Sequence, residues 1–332
     1  MSKPSIARIY RGTARNLAAL ARRLRAGELV AVPTETVYGL AANALDARAC
    51  RKIFAAKGRP TSDPLIVHLP SACDLDRVAI TNPAAWRLAR KFWPGPLTLV
   101  LPKKPIVPDI VSAGLPSVAV RVPGHPLFRR LLKLAAVPLA APSANAFGYI
   151  SPTTADHVRH GLGKKIRHIL DGGPAHIGLE STIIDLRNPA RPRLLRPGAI
   201  TQAQLEKALG RKVAIIRQSV HRGKTPSAQI APGLLVRHYS PRTPVELHRE
   251  FPAQRPAAAH VAWVSLAKPA GPRAKNVFWF DADGGLRGIA RRLFATLRQL
   301  DDGRFRKIHV ELAHGEGLAD AINDRLRRAA AR

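Results

Sequence analysis

The chain has 332 residues, 46% of them apolar and 5% aromatic, which is enough for two domains with their own cores and too apolar for a disordered polymer. Its 54 lysines and arginines against 22 acidic residues give a formal charge of +32, which favours anionic partners such as nucleotides or RNA. The basic residues are scattered along the chain (Arg22–Arg23, Lys103–Lys104, Arg327–Arg328) without a basic tail, so charge on solvated faces explains them equally well.

Cys50 and Cys73 are too few for a four-ligand zinc site and read as reduced core residues of a cytoplasmic protein. The N-terminus carries no signal-like apolar stretch, and no apolar run reaches bilayer length, so no membrane partner is expected.

In chain order, Leu17, Leu20 and Leu24 predict a helix over 13–27 with Gly27 as its cap. ELVAVPTETVYGL then reads as a buried strand entering a loop at Pro33, and residues 46–57 as a helix that delivers Lys57. PLIVHL (64–69), PLTLVL (96–101) and SVAVRVP (117–123) are short strands. A helix over 126–135, a strand breaking at Pro142, a helix near 153–162, strands in IRHILDGG and STIIDL, and a helix at 201–209 follow. This interleaving predicts an α/β domain over 1–210. Residues 217–244 lose any clear period, which defines a linker or lid over 211–244. Strand-like VAWVSLA, VFWFDAD and KIHVEL and two helical stretches predict a small three-layer, Rossmann-like α/β domain over 245–332.

Several polar breaks could carry chemistry. PTETVYGL (33–40) places two threonine hydroxyls where a strand ends, with Gly39 permitting close backbone approach, although local threonine hydrogen bonds in a turn explain it as readily. In KGRP (57–60), Lys57 and Arg59 can converge on a polyphosphate, Lys as a point charge and Arg as a planar fork. PSAN (142–145) leaves Ser143 and Asn145 at a sheet edge, and GLESTIIDL (178–186) sets Glu180, Ser181 and Thr182 before a strand. In SVAVRVP, Val118, Val120 and Val122 share one face and Ala119 and Arg121 the other. Arg121 therefore faces water or answers a buried carboxylate, which could be a ligand's. GLGKK (161–165) lacks P-loop spacing and no G-x-S-x-G elbow exists, so nucleotide chemistry would need a different phosphate site.

Taken in order, PTETVYGL, KGRP…DPLIVH, FWPGPLTLVL, SVAVRVPGHP, APSAN…SPTT and GLESTIIDL resemble the YrdC-like family. APGLLVRHYSP (231–241) aligns the chain with the family's two-domain threonylcarbamoyl-AMP synthases. The resemblance implies a twisted mixed-sheet catalytic domain and a smaller C-terminal domain. The implied reaction joins L-threonine, bicarbonate and ATP into threonylcarbamoyl-AMP and pyrophosphate, for a downstream transferase complex that modifies tRNA.

By the same resemblance, Lys57, Arg59, Ser143 and Asn145 serve the phosphates and the transferring centre. Asp63, Ser117, Ser151, Arg196, His238 and Tyr239 complete the ATP site. Thr34, Thr36, His68, Arg121 and Ser181 hold threonine, with Arg121 on its carboxylate. Magnesium would ride on the phosphates, and no dedicated metal-ligand cluster is apparent. Direct tRNA contact is left open. Asp63 stands where the family more often has asparagine, AFGYISPTT replaces LSGRPSPTT, and Ala231 and Leu234 modify the usual SPGM.

The main rival reading is a non-enzymatic module for double-stranded RNA or tRNA. A hydrogenase-maturation carbamoyltransferase would need zinc-finger cysteines that this chain lacks, and a generic nucleotide hydrolase a base that the motifs do not supply. Two mechanical expectations complete the reading. Lys57 and Arg59, placed in a loop, should contribute no more than about 0.5 kcal/mol to stability. Residues 211–241 should act as a lid that works largely without the second domain.

Overall fold

A computed structural model describes residues 6–216, 229–233, 238–251, 258–270 and 274–331. Its larger sheet runs, edge to edge, through Arg8–Arg11, His168–Asp171, Val30–Val32, Gly39–Asn43, Leu139–Ala140, Ile66–His68, Ser117–Arg121, Leu97–Pro102, Thr182–Asp185, Arg193–Arg196 and Ala214–Ile215. Parallel and antiparallel pairings are mixed along it. Alternation along the strands feeds both faces: Ala31, Leu40, Ala42, Val118, Val120 and Val122 point into one core, and Val30, Val32 and Ala41 into another. Thr13 caps the helix Ala14–Arg25, whose Leu17, Leu20 and Leu24 pack in that second core with Phe128, Leu131 and Leu132 of the helix Pro126–Ala135. Farther along the sheet, Ile66, Val100, Ala119, Ile183 and Leu195 form a smaller apolar patch covered by Ala231.

The helix Pro83–Phe92, for which the sequence reading above assigns no element, is also legible in retrospect. Asn82 accepts the Ala85 N–H, Pro83 stands in the first turn, and Ala85, Leu88 and Ala89 are buried. The strand Gly39–Asn43 begins inside the expected loop, and its small residues, buried from Gly39 to Ala42, carry no β-branched signal that marks it.

The second sheet is parallel throughout, in the order Val245–His248, Lys307–Glu311, Val261–Ser265, Val277–Trp279. The helices Leu286–Leu300 and Leu318–Ala330 both pack on one face of it, through Val245, Ala262, Val264, Ile308 and Val310. Among the described residues this unit has two layers rather than the expected three. The same cluster takes in Val37, Ile150, Leu179 and Tyr239, so the core of the small unit continues into the larger one.

Gly178 marks the tightest approach between the two units. Its φ is +80°, and a Cβ there would lie 2.4 Å from the Ala290 carbonyl oxygen and 2.5 Å from Arg291 Cα. Gly178→Ala is therefore expected to destabilise the chain by at least about 1–3 kcal/mol through left-handed strain alone, with backbone overlap on top. Thermal unfolding with limited proteolysis would read the loss, and an unchanged Tm would contradict it.

Candidate active site

The cleft opens on the sheet face that carries the Ala231 patch. Its lining includes Thr34, Thr36, His68, Arg121, Ser143, Ser181, Arg196, His238 and Tyr239, around a small cavity of about 50 Å³. The PTET and GLES loops are laced together, since Ile177 N–H donates to the Glu35 carbonyl at 2.8 Å and Gly178 N–H to that of Thr36 at 3.1 Å. PSAN is tied to the neighbouring strand: Leu40 N–H donates to the Pro142 carbonyl and Ala144 N–H to that of Tyr38. Gly39 serves this approach, for a Cβ there would stand 3.3 Å from the Ala141 Cβ.

At one end, buried Arg121 donates Nη1 to Thr36 Oγ1 at 3.0 Å and Nε to the Gly95 carbonyl at 3.1 Å, and pairs Nη2 with Glu35 Oε1 at 2.7 Å. The carboxylate that answers Arg121 within the chain is thus Glu35, which the motif reading passed over. The Gly124 N–H also donates to Glu35 Oε1, while Oε2 has no partner among the described residues. Arg121 and these donors hold Glu35 below its usual range against the opposing effect of burial. Thr34 spends its hydroxyl locally, on Thr36 Oγ1 at 2.7 Å and the Val37 carbonyl at 2.6 Å, so the turn reading also holds there. Burial, reinforced by Arg121, pushes His68 down to about 3, so its ring is neutral at physiological pH. Ser181 Oγ meets Thr98 Oγ1 at 2.8 Å.

At the other end, Lys57 closes the helix Ala47–Lys57, which Asp46 caps at its start and Gly58, at φ 65°, ends. Its Nζ donates to the carbonyls of Ser143 at 2.6 Å and Asn145 at 2.5 Å. Arg59 pairs with Asp63 at 2.9 Å and donates to the Pro64 carbonyl. Lys57 and Arg59 are 3% and 6% exposed, which overturns the expectation of a solvated loop with little packing to lose. Burial, then Arg59, drives Lys57 well below its usual range, while burial raises Asp63 despite its cationic neighbours. Arg196 donates to the Ser181 carbonyl at 3.0 Å and the Pro232 carbonyl at 3.1 Å. Among the described residues, no carboxylate lies within ion-pair distance of Lys57 or Arg196.

Of the expected linker, residues 217–228 and 234–237 lie outside the described residues, including Leu234 and Arg237. The described part enters the cleft. Gly233 approaches Arg196 and Tyr239 so closely that a Cβ would stand 2.7 Å from Arg196 Nη1. His238 is buried, its ring 4.1 Å from that of Tyr239, and burial with Arg59 and Lys57 keeps it neutral. Tyr239 sits at φ 62° with its ring against Phe294 and beneath the Arg325 guanidinium. Unpaired buried atoms gather here: Tyr239 OH, His238 Nδ1, Asn145 Oδ1 and Asp63 Oδ2. Lys57, Asp63, Ser117, Asn145 and Ser151 stand outside the lining, Lys57, Asp63 and Asn145 behind it. Ser117 begins the strand that Arg121 ends, with its hydroxyl unpaired, and Ser151 Oγ donates to Glu180 Oε1 at 2.5 Å.

Glu180 leads to a residue that no motif announced. Arg325, fully buried in the helix Leu318–Ala330, donates Nε to Glu180 Oε2 at 2.8 Å and Nη2 to the Pro197 carbonyl at 3.0 Å. A residue of the small unit thus holds a carboxylate of the cleft lining.

Residues 22–198 match the Sua5/YciO/YrdC family model, described as telomere recombination, and residues 200–331 match the threonylcarbamoyl-AMP synthase C-terminal domain. The threonylcarbamoyl-AMP synthase of Pyrococcus abyssi is 42% identical over 315 residues, covering 92% of this chain and 91% of that one. The Bacillus subtilis enzyme of the same name is 39% identical over 331 residues, covering 95% and 92%. The crystal structure of P. abyssi Sua5 complexed with L-threonine superposes with a TM-score of 0.86, at 39% identity in that alignment and 98% coverage of both chains.

Two outcomes follow from this geometry. Arg325→Ala strands a buried carboxylate and is expected to cost about 3–5 kcal/mol in chemical denaturation, the range for breaking a buried pair. A loss under about 1 kcal/mol, typical of an exposed pair, would contradict it. His68 binds its proton in the unfolded chain near 6.5 but in the folded chain only near 3. Its contribution to stability is therefore present above pH 6.5 and is lost as pH falls toward 3. A His68→Gln variant should show a shallower acid loss over that window, and identical slopes would count against this assignment.

Proposed function

The chain belongs to the two-domain threonylcarbamoyl-AMP synthases, nucleotidyl-transferring enzymes, and from that premise we propose that its cleft joins L-threonine, bicarbonate and ATP into threonylcarbamoyl-AMP. The observation that carries this reading is the pair of buried basic groups, Lys57 and Arg196, whose hydrogen bonds among the described residues go to neutral oxygens. Burying charge without a counter-ion is costly, and an anionic ligand removes that cost.

In this reading the threonine amine captures CO2 from bicarbonate, and an oxygen of the resulting carbamate attacks the α-phosphate of ATP. The P–O bond to the β,γ-diphosphate breaks, and pyrophosphate leaves with the electron pair. Lys57, Arg59 and Arg196 stabilise the developing phosphate charge, with Ser143 and Asn145 ordering the loop that Lys57 binds. Ser117, Ser151, His238 and Tyr239 remain on the nucleotide side, Ser151 acting through Glu180. Threonine's carboxylate meets Arg121, with Thr36, His68 and Ser181 at its side chain and Thr34 bracing Thr36. Magnesium enters on the phosphates as part of the substrate. Asp63, with one oxygen unpaired, is the carboxylate beside Arg59 that could meet it. The product then supplies a transferase acting on tRNA.

The domain division of 1–210, 211–244 and 245–332 and the lid over 211–241 are part of the same proposal. Tyr239 rests on Phe294 and under Arg325, so the lid's seat belongs to the small unit. A chain ending at residue 241 should therefore recover little of the synthesis of the full chain, contrary to the expectation from sequence. Full activity of that truncation, in a chromatographic assay for threonylcarbamoyl-AMP, would refute the shared seat. ATP–pyrophosphate exchange that needs both threonine and bicarbonate tests the reaction itself, and exchange independent of threonine would reject it. Arg121→Lys keeps the charge against Glu35 but loses the planar fork. It should weaken threonine binding by about 10- to 150-fold while leaving ATP binding near the parent value. Equal losses of both ligands in calorimetry would remove Arg121 from the amino-acid site.

A further inference from the structure

The four-stranded sheet packs both helices on one face and turns the other away from them. On that outer face the parallel register sets Glu246 directly opposite His309, and alternation puts His248 on the same side, one pleat further on. His248 Nε2 and His309 Nδ1 lie 2.7 Å apart, and Glu246 Oε1 lies 3.5 Å and 4.0 Å from them respectively. From this arrangement we propose that Glu246, His248 and His309 form a binding site for a divalent transition metal of the Zn2+ class, separate from the catalytic cleft.

The geometry suits such an ion. Bonds of about 2.0–2.1 Å in a tetrahedral set place neighbouring ligand atoms roughly 3.3 Å apart, and the three separations bracket that value. Two imidazoles with one carboxylate are a zinc-type donor set, whereas calcium and magnesium call for oxygen ligands. The carboxylate is already aimed: Lys307 Nζ takes Glu246 Oε2, which leaves Oε1 toward the rings. Trp263 stacks on His309 with ring centroids 4.2 Å apart and planes 14° apart, fixing that imidazole. The side chains of His248 and Glu246 are 20% and 44% exposed, so an ion can enter from solvent. With each ring carrying its proton on the nitrogen away from the other, both facing nitrogens offer lone pairs. The competing account is an imidazole–imidazole hydrogen bond with no affinity for metal.

Titrating the untagged full chain with Zn2+ alone, without nucleotide, separates the two. One equivalent is expected to bind. His248→Gln and His309→Gln should each weaken it by more than the about 10- to 100-fold that losing a supporting contact behind a ligand costs. Undetectable binding to the parent chain, or binding unchanged in His309→Gln, would overturn the site. Should a variant fail to fold, Co2+ in the parent chain decides. An intense visible ligand-field spectrum of a tetrahedral nitrogen–oxygen set supports the site, and a weak octahedral spectrum refutes it.

Discussion

Glu180 does not stand alone in the wall of the cleft: it is buried, accepts a hydrogen bond from Ser151, and among the described residues makes its one ion pair with a cation of the small unit. Arg325 supplies it from the last helix of the chain, 145 residues away. A buried ion pair contributes little net stability once desolvation is counted, but it is demanding about placement, because either partner alone is strongly unfavourable. The docking of the small unit is therefore coupled to the geometry of the cleft. Arg298 strengthens the same junction by donating to the backbone carbonyls of Ile150 and Ser151, and Tyr149 by reaching Asp301 at 2.7 Å. Apolar continuity through Val37, Ile150 and Leu179 provides the bulk of the contact, and the polar contacts set its register.

Inside the cleft the electrostatics are graded. Toward Arg121 each charge has an opposite partner, with Glu35 at 2.7 Å, and the neutral ring of His68 adds none. Toward Lys57 and Arg196 the ion pair of Asp63 goes to Arg59, and among the described residues the other two make none. The cleft thus offers two environments of different character side by side. The formal charge of +32 is less informative than this local imbalance, since most basic residues of the chain lie away from the cleft.

The sequence made local features legible where one residue type dictates one conformation. Gly58 ends a helix and so positions Lys57, and period-two alternation sets Val118, Val120 and Val122 on one face and Arg121 on the other. What stayed hidden was pairing across distance. Glu35 and Arg121 are 86 residues apart, and nothing in either motif names the other. Arg325 sits in a helix with two other arginines, Arg327 and Arg328, and burial is what distinguishes it from a solvated charge. The burial of Lys57 and Arg59 was misjudged for the same reason, because KGRP looks like a surface turn until PSAN is laid over it.

Tyr239 carries a consequence for how the cleft exchanges its contents. Its backbone occupies the left-handed region at φ 62°, which a residue with a side chain enters only at a cost of about 1–3 kcal/mol. What keeps it there is its ring, clasped by Phe294 and Arg325 with His238 alongside. The left-handed backbone is thus a spring held in place by its aromatic seat. Because the seat lies on the small unit while the groups it faces lie on the large one, that balance is set at the boundary between the two. A ligand that engages Tyr239 or His238 from within would add to the seat's hold, and one that displaces them would let the spring open.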